Sequence, residues 1–133
     1  MLFRSNKSFG SLPGSTGKGA TVFTDVAKAG GIDSSGPYTG ESYDAAALIV
    51  LAIQAGGSAD RGSIAKNVMA VANGPGKKIY PGQLKKALDL LAKGKAVDYE
   101  GATGVNFTDV GEAEGSFLEK EIKGGKFKTK KQR

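Results

Sequence analysis

The sequence lacks several of the side chains on which enzyme catalysis most often depends. Its 133 residues include no His, no Cys and no Trp. Without an imidazole or a thiol, the chain cannot build a Ser–His–Asp triad, a cysteine nucleophile or a thiolate zinc site. These classes of catalysis are therefore excluded, and we predict no catalytic residue, no bound metal and no cofactor.

Two short stretches contain residues that could bind phosphate or calcium. The stretch "GSTGKGAT" is similar to a phosphate-binding loop, in which backbone N–H groups and a Lys contact phosphate oxygens. That motif requires Gly where the sequence has Leu12 and Ser or Thr where it has Gly19, and we predict no strand before it. In "TDVGEAE", Asp109, Glu112 and Glu114 lack the alternating spacing of a calcium loop, and a hairpin turn explains Asp109 more simply. Neither stretch predicts a site.

The basic charge is concentrated at the C-terminal end of the chain, whose net charge is +6. Residues 123–133 contain six basic residues and no acidic one, which leaves 13 basic and 13 acidic residues elsewhere. A basic segment could bind nucleic acid or an anionic membrane surface. Here, however, it has only Phe127 as a stacking aromatic residue. We interpret residues 128–133 as a solvated basic tail and expect no nucleic-acid partner.

The N-terminal segment differs in composition from the rest of the chain. Residues 1–19 are rich in Gly, Ser and Lys, and we expect them to be non-native or disordered. One hypothesis is that "MLFRS", Met1 to Ser5, is the translated end of a sequencing adapter. No leader typical of exported proteins opens the chain. The longest apolar run, Ala45 to Ile53, is shorter than the ~20 residues that span a bilayer.

The elements that would position any site begin with two predicted helices. The first covers residues 20–29 and ends at a pair of glycines. The second has Ser42 as its N-cap and continues to about residue 55, with Asp44 in its first turn, where the helix dipole favours an acid. This second helix is apolar on almost every face, so it must be buried on most sides.

Two more helices and a set of strands complete the predicted elements. The third helix begins after Ser58 or Asp60, and the fourth has Pro81 at its first position and ends at Gly94. The stretch "NGPGKKIYPG" between them is predicted to be a loop. Short strands are predicted over residues 97–99, 105–107 and 116–122.

The order of these elements resembles that of a known family. The stretches are "YTGESYDAAALIVLAIQAGG", the Asp60 that starts the next helix, "GKAVDYEGATGVNF" and "GGKF". Together they are similar to the C-terminal part of the branched-chain amino acid or amide substrate-binding proteins of ABC transporters, which are type I periplasmic binding proteins. The resemblance covers about residues 20–127 and corresponds to roughly the last third of such a protein.

The resemblance implies an α/β fold, as a C-terminal fragment of a two-lobed protein. Helices would pack on an incomplete parallel sheet, followed by C-terminal hairpin strands. Residues 20–97 would be the helical part of the first lobe, and residues 105–127 would be strands of the second. Residues 98–104 would be a hinge crossing, in which Gly101 and Gly104 permit backbone rotation.

The resemblance also implies a function. The protein would be similar to a leucine-binding protein and would capture an amino acid, an amide or a related small polar ligand between two lobes in the periplasm. It would then deliver this ligand to membrane permease subunits. Tyr38 occupies the position where relatives place an aromatic residue against the ligand, although packing alone also explains it. Glu41 could meet an ammonium group, although the helix dipole also explains an acid there. We do not expect such a fragment to bind alone.

Two other function classes remain open from the residues alone. One is a small, independent α/β enzyme or phosphate-binding protein that uses "GSTGKGAT". The other is a basic nucleic-acid-binding module that uses the C-terminal charge.

Overall fold

The computed structural model describes residues 7–132, so the hypothesis about Met1 to Ser5 lies outside the described part of the chain. In chain order the elements are β1 Phe9–Pro13, α1 Gly17–Ala29, α2 Thr39–Gly56, α3 Arg61–Ala72, β2 Lys77–Ile79, α4 Leu84–Ala92, β3 Val97–Tyr99, β4 Phe117–Lys123 and β5 Lys126–Gln132. Within these residues, none of the helices combines the length and the apolar character that crossing a membrane would require.

The strands form two separate sheets. β2 and β3 are parallel neighbours, with Lys77 opposite Val97 and Ile79 opposite Tyr99. β1, β4 and β5 form an antiparallel sheet in that order, and β4 and β5 are joined as a hairpin. The predicted fold class is confirmed, because helices accompany a short parallel sheet and antiparallel hairpin strands come after it.

The main core lies between the parallel strands and the helices α2, α3 and α4. Leu51, Ile79, Val97 and Tyr99 are its largest fully buried side chains. A smaller cluster forms where α1 meets the segment after β3, and it contains Phe23, Ala27 and Ala102, with Tyr43 packed against them. The ring centroids of Phe23 and Tyr43 lie 5.3 Å apart, which is a favourable aromatic contact. α2 therefore belongs to both clusters and connects them.

The structure differs from the sequence-based expectation at both ends of the chain. Within residues 1–19, which were expected to be non-native or disordered, Phe9–Pro13 forms β1 and pairs with β4 from Glu121 to Phe117. Residues 126–132, which include most of the predicted basic tail at 128–133, form β5, and those up to residue 131 are exposed. Both segments form strands because they pair with β4, and β1 is far from β4 in the sequence. Lysines are common on exposed edge strands.

Some predicted boundaries also shift. α2 begins at Thr39 and not after Ser42, and α4 begins at Leu84, three residues after Pro81. The predicted loop contains β2, and residues 105–107 form no strand but one bridge, from Phe107 to Ala113. Asp60 is confirmed as the N-cap of α3: its carboxylate accepts hydrogen bonds from the N–H groups of residues 62 and 63, at 2.9 and 3.3 Å.

α2 is covered less completely than its apolar sequence predicts. Its buried face includes Leu48, Leu51 and Asp44. On the other side, Ile49 is 49% exposed and Val50 is 39% exposed. Within the described residues, one side of this helix is therefore exposed, which differs from the expectation that most of its faces are buried.

Candidate functional site

A cavity of about 220 Å³ lies where the antiparallel sheet faces the two N-terminal helices. Its walls come from the end of β1, from α1, from the turn that leads into α2, and from β4. Both ligand residues predicted from the sequence, Tyr38 and Glu41, line it. Its volume is below the usual range of pockets for drug-sized molecules, about 300–1,000 Å³, so it suits a smaller molecule.

Tyr38 has an unusual backbone conformation at the mouth of this cavity. Its φ of 63° and ψ of 10° place it in the left-handed region at the N-cap of α2, and its side chain is 57% exposed. A bulky residue with positive φ is a backbone outlier, and such strain clusters at functional sites. The turn is held by the Thr39 hydroxyl, which donates to the carbonyl groups of Ser34 and Gly36 at 3.0 Å each.

Glu41 lies in the first turn of α2 and is half-buried. The backbone N–H groups at a helix N-terminus favour an acid there, as the sequence predicted. Glu41 also lines the cavity, so stabilisation by the helix dipole and contact with a ligand are compatible explanations of this acid. Lys120, from β4, lines the cavity on the side of the antiparallel sheet. The site therefore contains one acid and one base on different elements.

Asp44 forms a buried hydrogen-bond cluster close to the cavity. Its side chain is 2% exposed, and one oxygen, Oδ1, accepts from the Tyr99 hydroxyl at 2.9 Å and from the Ala102 N–H at 2.8 Å. The other oxygen, Oδ2, accepts from the Thr103 N–H and the Thr103 hydroxyl at 2.8 Å each. Burial, and then the charge and the hydrogen bond of Asp44, raise the pKa of Tyr99 well above its usual value. Asp44 thus joins α2 to the turn after β3.

This role of Asp44 was missed in the sequence. The prediction placed Asp44 in the first turn of the helix, where the dipole explains it, but α2 begins five residues earlier, at Thr39. One feature of the sequence could have indicated this role: Asp44 directly precedes an apolar run that had to be buried. A buried carboxylate needs hydrogen-bond donors around it. The donors come from residues 99–103, more than fifty positions away, so the sequence alone did not identify them.

The two predicted hinge glycines have different surroundings. Gly101 and Gly104 both have positive φ, of 58° and 71°. Gly101 is buried, and a Cβ atom there would overlap the carboxylate of Asp44. Gly104 is exposed, and a Cβ atom there would meet nothing within 4 Å. Close packing against Asp44 therefore leaves no room for a side chain at Gly101, whereas Gly104 has free space around it.

The "GSTGKGAT" stretch lies at the start of α1, beside a second crevice of about 210 Å³. A strand, β1, does precede it, contrary to the prediction, but this strand is antiparallel to its neighbour. Lys18 places its Nζ 4.4 Å from the centre of the Tyr80 ring, and Glu100 lines the same crevice. A carboxylate at this position opposes binding of a phosphate, so the structure gives this stretch no added support as a phosphate loop.

The order and pairing of the elements match a known fold. A short parallel sheet flanked by α2, α3 and α4, followed by a crossing and an antiparallel hairpin, is the fold of part of a type I periplasmic binding protein. The structure is similar to that of the leucine-binding protein LivK from Thermotoga maritima MSB8, with a TM-score of 0.59 and 18% sequence identity. The match covers 96% of this chain and 31% of that one.

A second relative supports the same class from the sequence. Over 68 residues the chain is 40% identical to the chemotactic signal transduction system substrate-binding protein BasB from Halobacterium salinarum, which is 51% of this chain and 16% of BasB. No protein-family model matches the chain. The chain spans less than a third of either relative. The resemblance to part of a substrate-binding protein is confirmed, and these relatives are binding proteins and not enzymes.

Proposed function

We propose that this chain forms part of the ligand-binding surface of a solute-binding protein, which captures an amino acid or a related small polar molecule. The observation that carries the proposal is the cavity of about 220 Å³, because Tyr38 and Glu41 both line it. The binding-protein relatives support this general role. Both residues are predicted from the sequence without knowledge of the cavity, so their meeting there supports the proposal.

The chemistry of the lining suits a small ligand with one charged end. The Tyr38 ring can cover an aliphatic side chain, while Glu41 can accept hydrogen bonds from an ammonium group. Phe23 and Leu118 add apolar surface, and the hydroxyl groups of Ser15 and other lining residues can bind polar atoms. The lining of this cavity is more polar than apolar, which suits a small polar ligand.

In the proposed protein, the captured ligand is delivered to the permease of an ABC transporter on the periplasmic side of a membrane. The name of BasB favours a second candidate partner, a chemotactic signal transduction protein. Purification of the chain with its membrane partner distinguishes the two candidates. Recovery of permease subunits supports the first, and recovery of a signal transducer in their place supports the second.

Both predicted ligand contacts, Tyr38 and Glu41, belong to this chain, so their part in binding can be tested on it. The sequence led us to expect no binding by a fragment alone. The cavity, which both predicted contacts line, changes this expectation to weak binding. A Kd of 1 mM corresponds to only about −4 kcal/mol, and protein NMR titrations detect such binding. The test is a titration of the isotope-labelled chain with L-leucine, with chemical shifts followed at residues 38–41.

Tyr38→Ala should raise the Kd for leucine roughly tenfold to a hundredfold, because the buried ring contact is worth about 1–3 kcal/mol. The matched control is Phe127→Ala, an exposed aromatic residue outside the cavity, which should leave the Kd unchanged. If Tyr38 only packs the turn, its loss will lower the melting temperature and leave the affinity unchanged. If leucine shifts no signal near the cavity in the unmodified chain, the proposal is wrong.

A further inference from the structure

The hairpin of β4 and β5 has a strongly basic tip, residues 123–128. Gly124 and Gly125 form its two-residue turn, and both have positive φ, of 61° and 73°, as the tightest hairpin turns require. Lys123 and Lys126 lie directly opposite each other on the two sides of this turn. Like charges at directly opposite positions destabilise a pair of strands. The fold therefore holds two cations where they repel each other unless an anion binds between or beside them.

The protein does not neutralise this charge itself. The segment from Lys123 to Lys131 contains five lysines and no acid. Lys130 pairs with Glu121 of β4 at 3.7 Å. The three lysines closest to the turn, at positions 123, 126 and 128, are exposed and form no ion pair with any residue that the structure describes. The hairpin tip therefore presents its positive charge to the surroundings.

An apolar side chain lies beside these charges. Phe127 is 75% exposed and lies opposite Ile122, on the other face of the hairpin from the Lys126 side chain. A strand rises about 3.3 Å per residue, so Phe127 lies within about 7 Å of the turn. Among the described residues, pairing on the other side of β4 ends at Ile122, whose carbonyl accepts from the Lys7 N–H at 2.9 Å. The aromatic ring and the lysines thus share the projecting end of the sheet.

We propose that the hairpin tip binds the surface of a bilayer that contains anionic lipids. Lysines close to such a surface are attracted to the lipid phosphate groups, and an exposed aromatic ring can enter the boundary between the headgroups and the acyl chains. The long lysine side chains reach the headgroups while the ring is buried. This inference goes beyond the proposed function, because the hairpin tip contains no residue that lines the cavity.

A nucleic acid is the other polyanion that a basic segment can bind. Proteins that bind single strands stack successive bases on several aromatic side chains along a groove. The hairpin tip is the convex end of two strands, and its sequence offers one aromatic ring, that of Phe127. A single ring among cations is sufficient to contact a membrane surface, so the geometry favours lipid over nucleic acid.

The first test is co-sedimentation of the full chain with lipid vesicles. One set contains phosphatidylcholine alone, and the other contains about 30% phosphatidylglycerol, whose headgroup is anionic. We expect binding to the anionic vesicles only, and weaker binding at high salt, because salt screens the attraction. Equal binding to both sets, or binding to neither, would overturn the inference. Binding of a single-stranded oligonucleotide in place of the vesicles would assign the hairpin tip to nucleic acid instead.

Lys123→Gln combined with Lys126→Gln should weaken binding to the anionic vesicles about 25-fold, because each lysine near such a surface strengthens binding about fivefold. This double variant should fold, since it removes a repulsive cross-strand pair. The matched control is Lys93→Gln combined with Lys95→Gln, which removes the same charge from exposed positions after α4 and should leave binding unchanged. Equal affinities of the two double variants would contradict the role of the hairpin tip.

The chain contains no Trp, which allows a direct test of Phe127 by fluorescence. In Phe127→Trp, the emission should shift to shorter wavelength when anionic vesicles are added, because the ring leaves water for the membrane interface. Phe117→Trp is the matched control, since Phe117 is 51% exposed at the other end of β4, and its emission should not shift. If neither variant shifts, or if both shift equally, the hairpin tip is not the part that contacts the membrane.

Discussion

The carboxylate of Asp44 should contribute more to stability than any other polar side chain of the described core. Asp44→Asn is the sharpest perturbation, because it keeps the size of the side chain and changes only its donors and acceptors. Oδ1 accepts from the Ala102 N–H and Oδ2 from the Thr103 N–H, each at 2.8 Å. An asparagine has one oxygen, so in either orientation its NH₂ group faces a backbone donor.

The expected cost can be worked out from these contacts. An asparagine oxygen at the Oδ2 position could still accept from the Thr103 N–H at 2.8 Å and the Ala102 N–H at 3.1 Å, but the NH₂ group would then face the Ala102 N–H. Opposed donors weaken a buried bond that is worth about 1–3 kcal/mol, and the remaining bonds lose the added strength of a charged acceptor. We therefore expect Asp44→Asn to lower the free energy of unfolding by about 2–4 kcal/mol. Tyr99→Phe removes only the hydroxyl donor at 2.9 Å, and should cost about 1–2 kcal/mol.

Urea unfolding at neutral pH, followed by circular dichroism, measures both losses. The control is Asp89→Asn, which makes the same chemical change at an exposed residue of α4, paired with Lys85 at 2.7 Å, and should leave the midpoint nearly unchanged. A loss in Asp44→Asn that is no larger than the loss in Tyr99→Phe would refute the reasoning, since the backbone donors would then contribute nothing.

Two further predictions concern the same cluster. Gly101→Ala should lower the free energy of unfolding more than Gly104→Ala. Both positions have positive φ, but only at Gly101 would an added Cβ atom overlap Asp44. Equal losses of free energy in urea unfolding would contradict this prediction. Because burial raises the pKa of Tyr99 above its ordinary value of 10.0, the folded state keeps a proton that the unfolded state loses at high pH. Stability should therefore be retained below about pH 10 and fall above it, and urea midpoints should fall less over that range in Tyr99→Phe.

The helices were largely predictable because their signals are local. Paired glycines end α1 and α2 near the predicted positions, and Asp60 caps α3 as expected. The strands β1 and β5 were missed because pairing with β4 stabilises them, and pairing between distant segments leaves no local periodicity. The segment "FGSLP" of β1 contains Gly and Pro, which are depleted in strands, so propensity argued against it.

The candidate site was predictable only in part, for a similar reason. Tyr38 was predicted from the resemblance and Glu41 from its place near the helix N-terminus. Both line one cavity, and their contact with a ligand stays a prediction. Lys120 could not be identified, because the face of β4 on which it lies depends on pairing with β1 and β5. In the sequence it is one lysine among several near the C-terminal end, and only the register separates it from its neighbours.

The hydrogen bonds of Asp44 lead to a prediction about the hinge crossing that the resemblance implies. Asp44 and Tyr38 are linked through the first turns of one helix, so the wall that contains Tyr38 moves with Asp44. Because Asp44 holds the N–H groups of Ala102 and Thr103, the turn moves with that wall as far as Thr103. A rotation before Thr103 would break buried bonds to a carboxylate, whereas Gly104 is exposed and has free space around it. We therefore predict that any closing rotation of the crossing takes place at Gly104, and that Gly101 serves the packing of Asp44.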